Sequence, residues 1–143
     1  MKVLVINGPN LARLDIRDSA IYGDMSYPQL VAHIENAAKT HGFTSDVRQS
    51  DDEATIISWL HEAADANTPV IINPAAFTHY SYAIRDAAEL VKAPLIEVHL
   101  SNPLAREEFR HTSVISAVAN GTIGGFGPNS YVLALIALKA LTA

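Results

Sequence analysis

Five short hydrophobic runs recur along the chain, and an amphipathic stretch follows each of them. Apolar residues are continuous within these runs and do not alternate with polar ones, which predicts strands covered on both faces, as in a parallel sheet. The runs are Val3–Ile6, a weaker Phe43–Gln49, Val70–Ile72, Leu95–Val98 and Val118–Ile123.

The stretch after the first run has the start and stop signals of a helix. Ser26 and Gln29 form a capping box, and Pro28 stands in the first turn, where its missing N–H costs nothing. Apolar residues at helical spacing follow, and Gly42 ends the pattern.

Three further helices are predicted in the same way. One follows the acidic segment Asp51–Glu53, which suits a helix N-terminus; one covers the apolar positions between Ala83 and Val91; and the last begins near Asn129. Strands and helices thus alternate over residues 1–143, which predicts a single domain of the α/β class. We expect a flavodoxin-like doubly wound five-stranded parallel sheet in a three-layer α/β/α sandwich, with ligands beyond the carboxyl ends of the strands.

Composition and charge narrow the function classes. The net charge is −5, and the ten Lys and Arg residues form no run, which argues against a nucleic-acid partner. Cysteine is absent, so disulfides and cysteine-bound metals are excluded. No signal-peptide pattern is present, and the apolar run Tyr131–Leu141 is too short for a membrane span and contains Lys139. We expect a cytoplasmic protein without membrane contact.

Polar side chains follow three of the predicted strands, in the segments Asn7–Asn10, Asn73–His79 and Glu97–Asn102. Alternate residues of a strand share a face, so Glu97 and His99 should lie side by side. A carboxylate bonded to one imidazole nitrogen fixes the tautomer and leaves the other nitrogen free for proton transfer. The alternative is a strand end that is simply solvated.

The segment Asn10–Asp24 has neither helical nor strand periodicity and is predicted to be a long loop, a kind of segment that often forms a lid. It contains Arg17 and Tyr22. Nearby positive charge stabilises a phenolate, so this tyrosine is a candidate base. Tyr22 could equally be a packing anchor, with Arg17 in solvent.

Other polar residues allow two interpretations each. His79 either caps the helix after it or faces the site, and Arg106 and Arg110 form either a salt-bridged surface turn or part of the site. The segment Gly124–Gly127 is either a tight turn or a phosphate cradle, although its spacing matches no nucleotide motif. No lysine follows a strand, so a Schiff base is not expected.

Four blocks of residues, taken in order and spacing, resemble the type II 3-dehydroquinate dehydratases over essentially the whole chain. They are Asn7–Leu11 with Arg17 and Tyr22–Gly23; Arg48–Ser50; Asn73–Pro74 with Thr78–His79 and Arg85–Asp86; and Glu97–Asn102 with Arg106–Glu107 and Phe109–Arg110.

The resemblance implies a hydro-lyase of the shikimate pathway, which removes water from 3-dehydroquinate by anti elimination to give 3-dehydroshikimate. The reaction passes through an enolate and uses neither metal nor cofactor. The resemblance assigns proton abstraction to Tyr22, helped by Arg17 and Arg106, and assigns to Asn10 a water that stabilises the enolate oxygen.

The resemblance gives the second half of the reaction to His99, which is oriented by Glu97, assisted by Asn73 and protonates the departing hydroxyl. The remaining roles are in substrate binding. The backbone at Leu100 and Ser101, with the Ser101 hydroxyl, binds the substrate carboxylate.

His79 and Arg110 hold the ring hydroxyls, and Asp86 reaches in from a neighbouring subunit of a trimer. Four trimers make a dodecamer in this family, so we expect a homo-oligomer.

Four positions depart from the common pattern of the family. Asp15 and Ser19 replace a glycine and a proline in the lid, Asp51 replaces an asparagine, and Ala75 replaces a glycine. None is a proposed catalytic group, but loss of Gly and Pro changes the conformational entropy of the loop.

Two alternatives belong to other function classes. A non-catalytic flavodoxin-like small-molecule-binding or receiver module is one, although a receiver needs clustered acids where this chain has Asn7 and Asn10. A metal hydrolase using His79, Glu97 and His99 is the other, although no spacing of the His-x-x-x-His kind supports it.

Overall fold

The computed structural model describes residues 1–143 and contains one sheet of five parallel strands in the order β2-β1-β3-β4-β5. This order confirms the flavodoxin-like prediction. The strands are β1 Lys2–Asn7, β2 Thr44–Gln49, β3 Val70–Asn73, β4 Leu95–His99 and β5 Gly121–Gly124.

Helices cover both faces of the sheet, and each face buries its own apolar cluster. The α-helices are α1 Ser19–Tyr22, α2 Tyr27–Thr40, α3 Glu53–Ala66, α4 Tyr82–Glu89 and α5 Asn129–Thr142. Residues of α2 and α5 pack on one face of the sheet, and residues of α3 and α4 pack on the other. The central strands β3 and β4 are buried along their whole length, which explains their continuous apolar runs. None of the helices combines the length and apolar character that crossing a membrane requires.

Local signals place most helix starts where the sequence predicts them. The Ser26 hydroxyl accepts from the backbone N–H of Gln29, whose side chain accepts from the Ser26 N–H, so the capping box is present. Asp52 caps α3 through the N–H of Thr55. His79 does not cap α4, because the Ser81 hydroxyl accepts from the N–H of Ile84. The capping interpretation of His79 is therefore wrong.

Two segments differ from their predicted conformation. The predicted loop Asn10–Asp24 contains a 3-10 turn at Leu11–Arg13 and the single-turn helix α1, which is capped by the Asp18 carboxylate through the N–H of Ala20. One helical turn is too short to give a periodic pattern. The last strand is shorter than predicted, because Ser116–Val118 forms a 3-10 turn before β5 begins.

Backbone contacts join the carboxyl ends of β1 and β3. The N–H of Gly8 donates to the Asn73 carbonyl over 2.8 Å. A Cβ at position 8 would lie 2.6 Å from the Pro74 carbonyl oxygen, so only glycine fits there. This close approach brings the segments that follow β1 and β3 to the same edge of the sheet.

Ala75 has a φ of +53°, in the left-handed region that disfavours residues with a Cβ. We expect Ala75→Gly to raise the free energy of unfolding by roughly 0.5 to 1 kcal/mol, because relief of the left-handed strain exceeds the added entropy of the unfolded chain. Urea titration at fixed pH measures the change. Ala76→Gly is the matched control and should lower stability, because Ala76 does not have a positive φ. If the free energy of unfolding changed in the same direction in both variants, the strain at Ala75 would not be the cause.

Candidate active site

A cavity opens at the carboxyl ends of β1, β3 and β4, where parallel α/β sheets bind ligands. It lies between α1, the segment after β3 and the segment after β4. No lysine lines it. Its polar lining comes from Asn10, Arg17, Tyr22, Asn73, His79, His99, Ser101, Arg106 and Arg110.

Tyr22 lies between two guanidinium groups. Nη2 of Arg106 donates to the phenol oxygen over 2.6 Å, and Cζ of Arg17 lies 3.5 Å from the centre of the ring. Burial lowers the pKa of Arg17 from its usual value, and the charge of Tyr22 opposes that shift. Nη1 of Arg106 also donates to the Ser101 hydroxyl over 3.2 Å, whereas its buried Nε has no partner. The phenol therefore faces the cavity next to two cations.

Glu97 and His99 form a buried pair at the end of β4. Nε2 of His99 lies 2.5 Å from a carboxylate oxygen of Glu97, as strand alternation predicts. A carboxylate only accepts, so Nε2 carries the hydrogen and Nδ1 is left for proton transfer. His99 lines the cavity, and Glu97 lies behind it with no solvent exposure.

Three hydroxyls complete the environment of the Glu97 carboxylate. The hydroxyls of Thr78, Ser113 and Ser116 donate to it over 2.6, 2.8 and 2.8 Å. Burial raises the pKa of Glu97, but the hydrogen bond and charge of His99 and the hydroxyls of Thr78 and Ser116 outweigh burial, so the pKa lies below 4.5. Glu97 is therefore an anion with a fixed orientation.

His79 and Arg110 line another part of the cavity. Nδ1 of His79 donates to the Thr112 carbonyl over 2.8 Å, which leaves Nε2 as an acceptor. Burial lowers the pKa of His79, and the charges of His99 and Arg110 lower it further, so the ring is neutral near pH 7. Nε of Arg110 donates to Glu107 over 2.8 Å. Arg110 thus forms the predicted surface ion pair and also lines the cavity.

Residues 1–139 match the sequence profile of the family described as dehydroquinase class II. The chain belongs to this family. It is 52% identical to the 3-dehydroquinate dehydratase of Salinispora tropica over 140 residues, which are 98% of each protein. It is 54% identical to the enzyme of the same name from Mycobacteroides abscessus over 135 residues, which are 94% of each protein.

A solved structure of the family has the same fold. The type II dehydroquinase from Propionibacterium acnes is 50% identical and superposes with a TM-score of 0.95, over 97% of this chain and 96% of that one. The resemblance predicted from the four sequence blocks is thereby confirmed.

Most residues that the resemblance assigns to a class II dehydroquinase site come together in the cavity. Leu100 and the nine polar residues named above line it. Glu97 does not line it but holds His99, which does. Asp86 does not reach the cavity of its own chain: it lies on α4, its side chain is 73% exposed, and it pairs with Arg85 over 3.1 Å.

The structure accommodates three of the four departures from the family pattern, whereas Ala75 stands in the strained turn described above. Asp51 accepts from the backbone N–H of Asn10 over 2.9 Å and from the Gln49 amide over 3.0 Å, bonds that an asparagine oxygen could also accept. Asp15 pairs with Arg13 over 3.2 Å on the exposed segment between β1 and α1. Ser19 is the first residue of α1, where proline is also favoured.

Sequence reasoning assigns no role at the site to Ser113, Ser116, Asn7 or Tyr131. Ser113 and Ser116 look like ordinary turn residues, and their contact with Glu97 depends on the segment after β4 folding back. Asn7 looks like part of a turn. Tyr131 is the one candidate that the sequence could have indicated, since it is an aromatic residue with a hydroxyl at the start of a mostly apolar helical run.

The lowered pKa of Glu97 predicts how this carboxylate affects stability. Between the folded pKa and the unfolded value near 4.5, the unfolded chain binds a proton that the folded chain does not. The contribution is therefore complete above about pH 4.5 and is lost as the pH falls through the folded pKa. We expect wild type to be more stable than Glu97→Gln at pH 6, with a smaller difference at about pH 3.5.

Urea unfolding at the two pH values measures this difference. Ser116→Ala removes one hydroxyl donor and should raise the folded-state pKa of Glu97, so in that variant the contribution should be smaller and its loss should be complete at a higher pH. If the stability difference between wild type and Glu97→Gln grew as the pH fell, the predicted pH dependence would be wrong.

Proposed function

We propose that this class II dehydroquinase removes water from 3-dehydroquinate to give 3-dehydroshikimate by anti elimination through an enolate. The activity itself follows from the family and from relatives named 3-dehydroquinate dehydratase. One observation supports the assignment of roles: the cavity presents a phenol between two guanidinium groups and an imidazole held by a carboxylate. This is a base and an acid on different elements of one site.

In the first step Tyr22, as a phenolate, takes the proton from the carbon next to the ketone, and the ketone becomes an enolate. Arg17 and Arg106 stabilise the negative charge on the phenol oxygen. Asn10 lines the cavity and holds a water that donates to the enolate oxygen. No lysine is needed, because the negative charge stays on oxygen.

In the second step the enolate collapses, the carbon–oxygen bond to the hydroxyl breaks, and His99 supplies the proton that makes the leaving group water. Glu97 holds the imidazole and stabilises its charged form. Asn73 assists the departing hydroxyl. Proton transfer between solvent and the two residues then restores the phenolate and the imidazolium.

The other cavity residues hold the substrate. The backbone at Leu100 and Ser101 and the Ser101 hydroxyl bind the carboxylate, and Arg106 orients that hydroxyl through its 3.2 Å hydrogen bond. His79 and Arg110 hold the ring hydroxyls; the free Nε2 of His79 can accept one of them.

The direct test adds 3-dehydroquinate to the protein and follows the ultraviolet absorbance of the conjugated enone product. We expect absorbance to rise at a rate proportional to protein concentration. Substrate binding without product, measured by calorimetry, would instead favour a non-catalytic small-molecule-binding module.

We also propose that the enzyme works in the cytoplasm as trimers assembled into a dodecamer, with Asp86 of one chain completing the site of another. The exposure of Asp86 supports this proposal, because a side chain on the surface can meet a neighbouring subunit. A second cavity of about 550 Å³ adjoins the first and shares His79, His99 and Arg110, so a partner residue could approach the site from that side.

We expect Asp86→Ala and His99→Ala chains, each nearly inactive alone, to regain activity when mixed, because some mixed sites contain only intact residues. Mass spectrometry must first show that subunits exchange. A mixture that exchanges and stays inactive, or a fully active monomer, would contradict the shared site.

A further inference from the structure

Three side chains at the floor of the cavity form a hydrogen-bonded network, and the proposed steps use only one of them, Asn73. Asn7 and Asn73 end β1 and β3 and are partners in the strand register. Tyr131, in the first turn of α5, donates to Oδ1 of Asn7 over 2.5 Å and accepts from Nδ2 of Asn73 over 3.0 Å. Asn7 and Tyr131 have no solvent exposure, whereas Asn73 lines the cavity.

A backbone N–H group determines which atom donates in each hydrogen bond of this network. The N–H of Ala75 donates to Oδ1 of Asn73 over 3.1 Å, so this end of the amide must be the oxygen and Nδ2 must face Tyr131. The phenol oxygen of Tyr131 therefore accepts, and its single proton goes to Asn7. Only one of the two Nδ2 hydrogens of Asn73 is used, which leaves the other for the cavity.

We propose that Tyr131 is a positioning residue for the dehydration: its hydroxyl holds the Asn73 amide so that the second N–H faces the departing hydroxyl of the substrate. This inference rests on the proposed function. Tyr131 touches no substrate and acts through Asn73. The strained turn at Ala75 fixes one end of the amide, and Tyr131 fixes the other.

The polar contacts of Tyr131 favour a positioning role for this residue over a role in packing alone. The other buried positions of α5 include Ala134, Leu135 and Leu138, and a phenylalanine ring could fill the same apolar space as Tyr131. The Asn7 amide is fully buried, which destabilises a fold unless its polar atoms find partners. Apolar residues at these positions would avoid that destabilisation. Burial raises the pKa of Tyr131, so the hydroxyl stays neutral and acts as a fixed donor and acceptor.

The test compares kcat and KM of Tyr131→Phe with those of the parent protein in the enone assay. We expect kcat to fall about 10-fold, within the roughly 100-fold that misplacement of an active-site group can cost, with KM changed by less than about 2-fold. In the Asn73→Ala background, Tyr131→Phe should lower kcat no further, because the residue through which it acts is gone.

Tyr27→Phe is the matched control. Tyr27 is a partly buried tyrosine whose hydroxyl approaches the Asn7 side chain, but it makes no hydrogen bond to Asn73 or Tyr131, so its variant should keep the parent kcat. An equal loss in Tyr27→Phe, or an additive loss in the Asn73→Ala background, would overturn the inference.

Two further outcomes separate this inference from the proposed function. A folded parent protein that forms no enone overturns both, whereas an active parent with an unchanged kcat in Tyr131→Phe overturns the positioning role alone. If Tyr131→Phe does not fold, Asn7→Ala replaces it, since this change keeps the Tyr131 ring and removes the acceptor of its hydroxyl. A loss of kcat in Asn7→Ala that disappears in the Asn73→Ala background then supports the inference, and an unchanged kcat in Asn7→Ala overturns it.

Discussion

Tyr22→Phe should lower kcat by roughly 100- to 10,000-fold, the range that a general base contributes, while the protein stays folded. The variant removes one oxygen atom, which accepts from Arg106 over 2.6 Å, and keeps the ring that lies 3.5 Å from Arg17. The cap of α1 by Asp18 does not involve the phenol, so the local backbone should be retained. Steady-state kinetics in the enone assay measures the loss.

Tyr80→Phe is the matched control for this variant. Tyr80 is 58% exposed, packs edge-on against Phe77 and does not line the cavity, so the loss of its hydroxyl should leave kcat unchanged. Turnover of Tyr22→Phe within a few-fold of the parent would assign the base to another group.

The surroundings of Tyr22 show what the sequence can and cannot predict. The nearby arginines indicate Tyr22 as a candidate base, but the sequence does not predict the helix that carries it, because α1 is a single turn. The strands and longer helices were predictable because their signals are local. The capping box at Ser26 and the apolar run of β3 each depend on residues within one element.

Residues that act across elements were harder to predict. Glu97 and His99 share a strand face, so their contact could be derived from alternation alone. Ser116 reaches Glu97 only because the segment after β4 turns back, and Tyr131 reaches Asn7 across 124 positions of the chain. No local pattern encodes either contact.

His99→Ala should lower the rate of dehydration by roughly 100- to 10,000-fold, because it removes the proton donor for the departing hydroxyl. Glu97 has no solvent exposure and stays behind the site, so the cavity should keep its base and its guanidinium groups. His61→Gln is the control, since His61 is an exposed residue of α3 and does not line the cavity.

A double variant tests whether Glu97 acts through His99. Glu97→Gln should lower kcat when His99 is present and should lower it no further in the His99→Ala background, because the 2.5 Å contact is then already lost. Additive losses would mean that Glu97 has a separate role in the reaction.

Isotope exchange separates the acid from the base. An enolate intermediate requires that the proton leave before the hydroxyl does, so a protein that lacks only the acid can still take the proton and return it. In deuterated water, His99→Ala should therefore incorporate one deuterium next to the ketone of recovered 3-dehydroquinate, whereas Tyr22→Phe should incorporate none. Mass spectrometry of the recovered substrate distinguishes the two variants. Exchange by Tyr22→Phe, or its absence in a folded His99→Ala protein that binds substrate, would mean that these two residues do not divide the reaction between base and acid.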